Sequence, residues 1–420
     1  MNRISLRDDR ILSCVAKAVI IIYVALGFFE KIHAIVDTIL VLDGFATALG
    51  AAFIILWFDC RRNFSCNGGS VSLVVFTFFI LFSSLVGASS LERLSVSLFA
   101  LIETWALILA FAEVKRDIHD VFLYLSIFAI AFCFVYSVFG LVKGIENDEL
   151  RFSGLSEQSN SLGVMASMAA ILCMMNIRKW KRIDATIVWN LFISALIPFF
   201  LYVLLVSDSR TSQFAVVFSC LTIVILALVF LNKRTVAYWS FIPALLVILV
   251  SVVFIVSGDR SAKSYTLDSL SSGRTVIWRE TFGAMELKEY VMGFSGNNGK
   301  MQEALKENNA SPVTLFNQGE RNLAHNMFLG MLFEYGIVVA LSFIYAWLWS
   351  MKKGIVYLMN DKKWALREVF ASLSLLSFFF IHSLSESSIY FIGGAEQLLF
   401  LSSLAMIYGV TTVKRRSVNE

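Results

Sequence analysis

Proline is scarce: only Pro198, Pro243 and Pro312 occur in 420 residues. Fixed kinks in helices are correspondingly few. The six cysteines are Cys14, Cys60, Cys66, Cys133, Cys173 and Cys220. Four of them lie inside apolar runs, and their spacing makes neither a disulfide framework nor a metal-ligand pattern. Charged residues make up only 16% of the chain, and the net charge is +4. So small a net charge says little by itself, and no nucleic-acid partner is expected. Neither an internal repeat nor a low-complexity tract is present.

Apolar mass is abundant. Hydrophobic residues make up 58% of the chain, 38 of the residues are Phe, and the mean hydropathy is +0.75. A soluble domain cannot hide that much apolar surface, and repeated runs of about 20 apolar residues are the mark of spanning helices. A β-barrel would show short alternating segments instead. The expected class is therefore an all-α polytopic membrane protein. Twelve apolar runs are visible, at about 11–29, 38–58, 71–88, 95–112, 121–142, 162–177, 185–206, 212–231, 237–257, 326–350, 368–385 and 391–412. The first is too long for a signal-peptide core and lacks a small-residue cleavage site, so it is expected to remain as a span.

Lys and Arg set the orientation. If twelve spans alternate, one set of segments carries 21 of them. The short links opposite carry five, namely Lys31, Arg93, Lys143, Arg151 and Arg210. The positive-inside rule then places both termini in the cytoplasm. The 68-residue loop 258–325 faces outward, which in a bacterium is the periplasm. Three regions follow: nine spans with short links (1–257), the large periplasmic loop (258–325), and three spans with a cytoplasmic tail (326–420). The expected location is the bacterial inner membrane.

Charges inside spans are functional candidates by default. Here they are Lys17, Asp43 and Glu103, which form no relay of carboxylates and bases. Lys17 and Asp43 are expected to make a structural ion pair. His33 and His119 read as ordinary surface residues. His382, near the outer end of the eleventh run, suits a core hydrogen bond or a substrate contact.

Four outward features carry chemistry. The first runs from Arg151 through Gly154, Asn160 and Gly163. The second is Ser207-Asp208-Ser209-Arg210, a link too short to let the guanidinium leave the membrane surface. Arg210 there is either a snorkelling, headgroup-binding arginine or a diphosphate clamp. Asp208 is either its orienting partner or a turn residue. The third is Gly273-Arg274, opening an amphipathic helix over roughly 274–290, with Ile277, Thr281, Ala284 and Lys288 at helical spacing and Trp278 and Met285 alongside. An arginine at a helix N-terminus is unfavourable unless an anion sits there. Arg279 suits a salt bridge to Glu280 or Glu286. The fourth is His325-Asn326 at the mouth of the tenth run. An imidazole titrates near neutrality and suits abstraction of a hydroxyl proton; Asn326 would fix the ring or bond a glycan. Arg321, just before, reads as a surface contact.

The order and spacing of these features resemble the bacterial O-antigen ligase and polysaccharide polymerase superfamily. The matching positions are Arg151, Gly154, Asn160, Leu162 and Gly163; then Arg210; then Gly273, Arg274 and Trp278; then His325, Asn326 and Gly336. The likeness covers about residues 150–340, and the run Ser-Glu-Gln-Ser-Asn departs from the family's usual turn. The resemblance implies a GT-C-like integral-membrane glycosyltransferase that uses no metal, no cofactor and no nucleotide sugar. Its donor would be a glycan on undecaprenyl diphosphate. Its acceptor would be the next lipid-linked repeat unit or a lipid A core, with polymerisation favoured over ligation. By the same resemblance Arg210 and Arg274 hold the diphosphate, and His325 is the base in an inverting transfer. Asn326, Asn160, Arg151, Trp278, Arg279 and Asp208 contact the substrates. Membrane lipids and a chain-length regulator are the implied partners. A lipid-linked oligosaccharide flippase, or another twelve-span transporter, is the competing reading. A two-halved transporter would place its long link in the middle on the cytoplasmic side, where only 178–184 stands. A non-catalytic scaffold is a third reading.

Overall fold

The computed structural model describes residues 2–29, 36–60, 77–78, 91–146, 159–177, 185–231, 274–294, 298–315, 325–359, 366–384, 386 and 395–412. Among these residues the regular secondary structure is all helical, without a strand. The helices are α1 (Asn2–Phe29), α2 (Val36–Cys60), α3 (Leu91–Glu113), α4 (Ile118–Glu146), α5 (Ser159–Asn176), α6 (Ala185–Val206) and α7 (Arg210–Leu231). They continue as α8 (Arg274–Ala284), α9 (Leu287–Met292), α10 (Asn298–Glu307), α11 (Met327–Tyr335), α12 (Ile337–Met359), α13 (Leu366–Ser383) and α14 (Ala395–Thr412). Ten of the twelve apolar runs fall on these helices. Runs 71–88 and 237–257 lie almost wholly outside the described residues, as do Arg151, Gly154, Gly273, Arg321 and the side chain of Asp43.

Among the described residues three stretches are long and apolar enough to cross a membrane: Ile118–Lys143, Val188–Val206 and Leu366–Ser383. Their surroundings differ. The outer helices expose large apolar side chains such as Tyr124, Phe139, Leu191 and Phe192. Water would not tolerate such surfaces in quantity, whereas lipid does. α5 is buried nearly all round, from Leu162 to Cys173, and packs against α4, α6, α7 and α13. Its small residues Gly163, Ala166, Ala169 and Ala170 allow that close approach. Buried serines return their hydroxyls to the preceding turn, as in Ser167 to the Gly163 carbonyl at 2.7 Å and Ser377 to the Leu373 carbonyl at 2.8 Å. This satisfies them without water.

Two pairings stand out. Lys17 pairs with Asp117 at 2.6 Å; the side chain of its expected partner, Asp43, lies outside the described residues. Asp117 ends a tight 3₁₀ turn, Val114–Asp117, that bends the chain back beside α1. His119 is no bystander: its Nδ1 lies 2.8 Å from Glu368 Oε1, and Arg367 donates to the same oxygen at 3.0 Å. Glu368 is fully buried. A carboxylate so placed needs cationic partners, because removing one from a buried pair costs about 3–5 kcal/mol.

The described helices bury two apolar cores. The larger unites α1 to α7 with α11 to α14. The smaller is built from Ala284, Met285, Phe294, Met301, Leu305 and Phe333, with Leu329 and Leu332 against it. The large loop thus has a core of its own, shared with α11. Two expected helices are divided. The segment 274–290 breaks after Ala284, because the Glu289 carboxylate accepts the Glu286 N–H at 3.0 Å and restarts the helix as α9. The run 326–350 breaks at Gly336, whose φ of +85° suits glycine. Its first nine residues, α11, pack on the loop helices, and α12 then starts afresh.

Candidate functional site

One carboxylate gathers the outward features. Glu386 follows α13, its N–H bonded to the His382 carbonyl at 2.9 Å. Its Oε1 accepts from Arg274 Nη2 at 2.8 Å and from Asn160 Nδ2 at 2.9 Å. Its Oε2 lies 3.8 Å from His325 Nδ1. That last separation exceeds a direct hydrogen bond but lies within reach of an ion pair. Three residues that the sequence singles out therefore meet at a fourth, Glu386, which lies one residue beyond the eleventh apolar run.

Local structure explains each position. Arg274 is the first residue of α8, and the anion expected at its helix terminus is internal, the Glu386 carboxylate. Of the expected inward positions on α8 and beyond, Ile277, Thr281, Ala284 and Met285 are buried, while Lys288 is exposed. Asn160 opens α5. His325 adopts φ +49°, a left-handed conformation uncommon for non-glycine residues. It stands immediately before the N-cap of α11. Asn326 supplies that cap: its Oδ1 accepts the Leu329 N–H at 3.0 Å, and its Nδ2 donates to the Leu384 carbonyl at 2.8 Å. Asn326 thus joins the His325 segment to the turn that carries Glu386. His382 is fully buried, with its ring stacked on Phe378 at 5.6 Å.

Burial pushes the Glu386 carboxyl upward, but His325 and Arg274 outweigh it and hold the group below the ordinary carboxylate range. The site therefore carries a fixed negative charge between two nitrogen bases, with 12% of that side chain exposed. Arg274 and His325 side chains are 20% and 27% exposed, which leaves both within reach of a ligand.

Arg210 is exposed at the start of α7, one helix away from this cluster. Its link is braced against α5: a Cβ on Gly163 would stand 2.5 Å from Ser209 Cβ and 2.9 Å from Ser207 Oγ. Gly163 is one turn along α5 from Asn160, so α5 connects the Arg210 link to the Glu386 cluster. Asp208 is exposed, with φ +50° in that turn. Trp278 is half-buried and Arg279 is exposed on α8. Glu280 accepts the Ser311 N–H at 2.9 Å and the Ser311 hydroxyl at 2.8 Å, tying α8 to the turn after α10. Burial raises the Glu280 carboxyl, but bonds from Thr314 and Ser311 and the charge of Arg279 bring it below its usual range. Among the described residues no three His, Cys, Asp or Glu side chains are grouped to hold a metal ion.

The remaining geometry concerns Gly336. A side chain there would collide with the Val291 carbonyl, and one at Gly293 (φ +67°) would collide with the Glu334–Tyr335 backbone. Phe294 N–H bonds the Phe333 carbonyl at 2.7 Å beside them. These close approaches lock α9 to the α11–α12 break, and so fix His325 relative to the loop that carries Arg274.

Residues 195–344 match the O-antigen ligase family. The matched segment covers just over a third of the chain and contains Arg210, Arg274, Trp278, His325, Asn326 and Gly336. It supports the expected place in the O-antigen ligase and polymerase superfamily. Glu386 and Asn160 lie outside it, and only the packing of α5 and α13 brings them to it. A comparison with curated proteins gives no match. Apolar helices, together with a segment similar to the O-antigen ligase family, make this a multi-pass membrane protein.

Proposed function

We propose that the chain is a periplasm-facing, metal-independent inverting glycosyltransferase of the bacterial inner membrane. It moves a glycan from undecaprenyl diphosphate to an acceptor glycan, with a lipid-linked repeat unit favoured over a lipid A core as acceptor. The observation that carries this reading is the meeting of Arg274, His325 and Asn160 at Glu386.

In this reading the acceptor hydroxyl loses its proton to His325 as its oxygen attacks the anomeric carbon. The bond from that carbon to the diphosphate oxygen breaks, and undecaprenyl diphosphate leaves with the electron pair. Glu386 faces Nδ1 and favours the tautomer with hydrogen on that nitrogen, leaving Nε2 to accept the proton. It also stabilises the imidazolium that results. Arg274 and Arg210 take up the charge that develops on the leaving group; preplaced guanidiniums bind it more strongly in the transition state than in the ground state. In the free protein Glu386 occupies part of the Arg274 fork. An arriving diphosphate would share the guanidinium with that carboxylate.

The test is incubation of the purified, reconstituted protein with undecaprenyl-diphosphate repeat units alone. Chain growth supports polymerisation. Product only after addition of lipid A core would assign ligation. Passage of the glycan across the bilayer with no new glycosidic bond would overturn the transferase reading.

A further inference from the structure

α9 presents two aliphatic side chains that the described residues leave exposed. Leu287 is 81% exposed, and Val291, one turn on, is also exposed. Tyr290, on the adjoining flank of the helix, stacks its ring on Phe282 at 6.3 Å, and its hydroxyl donates to the Phe282 carbonyl at 3.2 Å. That flank ties α9 to α8, while Leu287 and Val291, one turn apart, remain exposed. Their neighbour is the start of α12, because the Val291 carbonyl abuts Gly336. From there Ile337, Leu341, Tyr345 and Leu348 continue along α12, all exposed and spaced to lie on one side of the helix. Val291 thus stands beside the start of this stripe, with Leu287 one turn earlier on α9. Lys288 lies beside them, bonded to Glu286 at 3.1 Å and Glu289 at 3.4 Å. An apolar pair flanked by a compact cluster of both charge signs matches the boundary between acyl chains and zwitterionic headgroups.

We propose that α9 is an interfacial anchor, with Leu287 and Val291 inserted among the acyl chains of the leaflet that α12 enters. The proposal rests on the expectation that the apolar run 326–350, to which α12 belongs, enters the membrane, and is independent of the transfer chemistry. Its partner is the lipid surface. The consequence is positional: α8 and α9 share one small core, so anchoring α9 holds Arg274 at headgroup depth, where a lipid-linked diphosphate lies.

The test is site-directed spin labelling of the full chain in nanodiscs of phosphatidylethanolamine and phosphatidylglycerol. Cys14, Cys60 and Cys66 are replaced by serine; Cys133, Cys173 and Cys220 are buried. A label at Leu287→Cys is expected to be relaxed by oxygen and shielded from a water-soluble nickel chelate. A label at Glu303→Cys, exposed on α10, is expected to show the reverse. Val291→Cys repeats the measurement one turn on. Nickel access at Leu287 equal to that at Glu303 overturns the proposal. Dipolar broadening between labels on two copies also overturns it, by assigning the face to a second chain.

Discussion

Replacing Glu386 by Gln keeps the shape of the site and removes its charge. Two interactions are affected. The first is the 3.8 Å approach to His325 Nδ1. At that distance a unit charge pair is worth about 4 kcal/mol at an effective dielectric of about 20, and about 1 kcal/mol in water. Since 12% of the Glu386 side chain and 27% of that of His325 are exposed, the value falls between those limits. If His325 becomes cationic in the transition state, the variant loses that stabilisation. The transfer rate falls by about 10-fold to 10³-fold, at 1.36 kcal/mol per decade. The second is the hydrogen bond from Arg274, and bonds to charged groups are worth about 1.5–3 kcal/mol. Glu386→Asp keeps the charge and should recover part of the rate. The assay is transfer of a labelled glycan from its polyprenyl diphosphate by reconstituted protein. A double-mutant cycle then separates mechanism from general damage. Adding Glu386→Gln to His325→Ala should slow transfer by less than Glu386→Gln slows the parent, because the carboxylate then has no imidazolium to stabilise and only the Arg274 bond is changed. Fully additive losses, or a Glu386→Gln rate within about twofold of the parent, would refute the reasoning.

Arg274→Lys keeps a positive charge but loses the planar fork; transfer should fall at least tenfold, and a parent-like rate measured in the same assay would remove Arg274 from the leaving-group role. Gly336→Ala must place a Cβ against the Val291 carbonyl at φ +85° and should cost at least about 1–3 kcal/mol of thermal stability, whereas Gly283→Ala, with open space around it in α8, should gain about 0.5–1 kcal/mol. For pH, the folded Glu386 carboxyl lies below its unfolded value, so its contribution is complete above the ordinary carboxylate range of about 4.3 and is lost as pH falls through the folded value. Melting curves of the parent and of Glu386→Gln should therefore differ by a constant amount at neutral pH and converge in acid. A gap that widens below about pH 4 would contradict the assigned direction.

Local properties carried most of what was readable in advance. Apolar runs of bilayer length fell on helices because hydropathy and helix formation depend on neighbours in the chain. The start of α8 at Arg274 and the inward faces of Ile277, Thr281 and Ala284 were legible for the same reason. The two helix breaks were harder. The one at Gly336 needs a glycine and a colliding carbonyl from residue 291, and only the second makes it obligatory. The one after Ala284 did leave a local signal, the Glu286–Glu289 capping pair, which the helical periodicity masked.

What the sequence determined by itself is the class of the protein, the order of its elements and the residue types able to meet a diphosphate and a hydroxyl. The tertiary structure alone decided their company. Glu386 reaches residues 226 and 112 positions away in the chain. Lys17 chose Asp117, and His119 chose a carboxylate 249 residues distant. Such pairs follow from how helices pack, since a charge leaving water must find a partner wherever the fold places one.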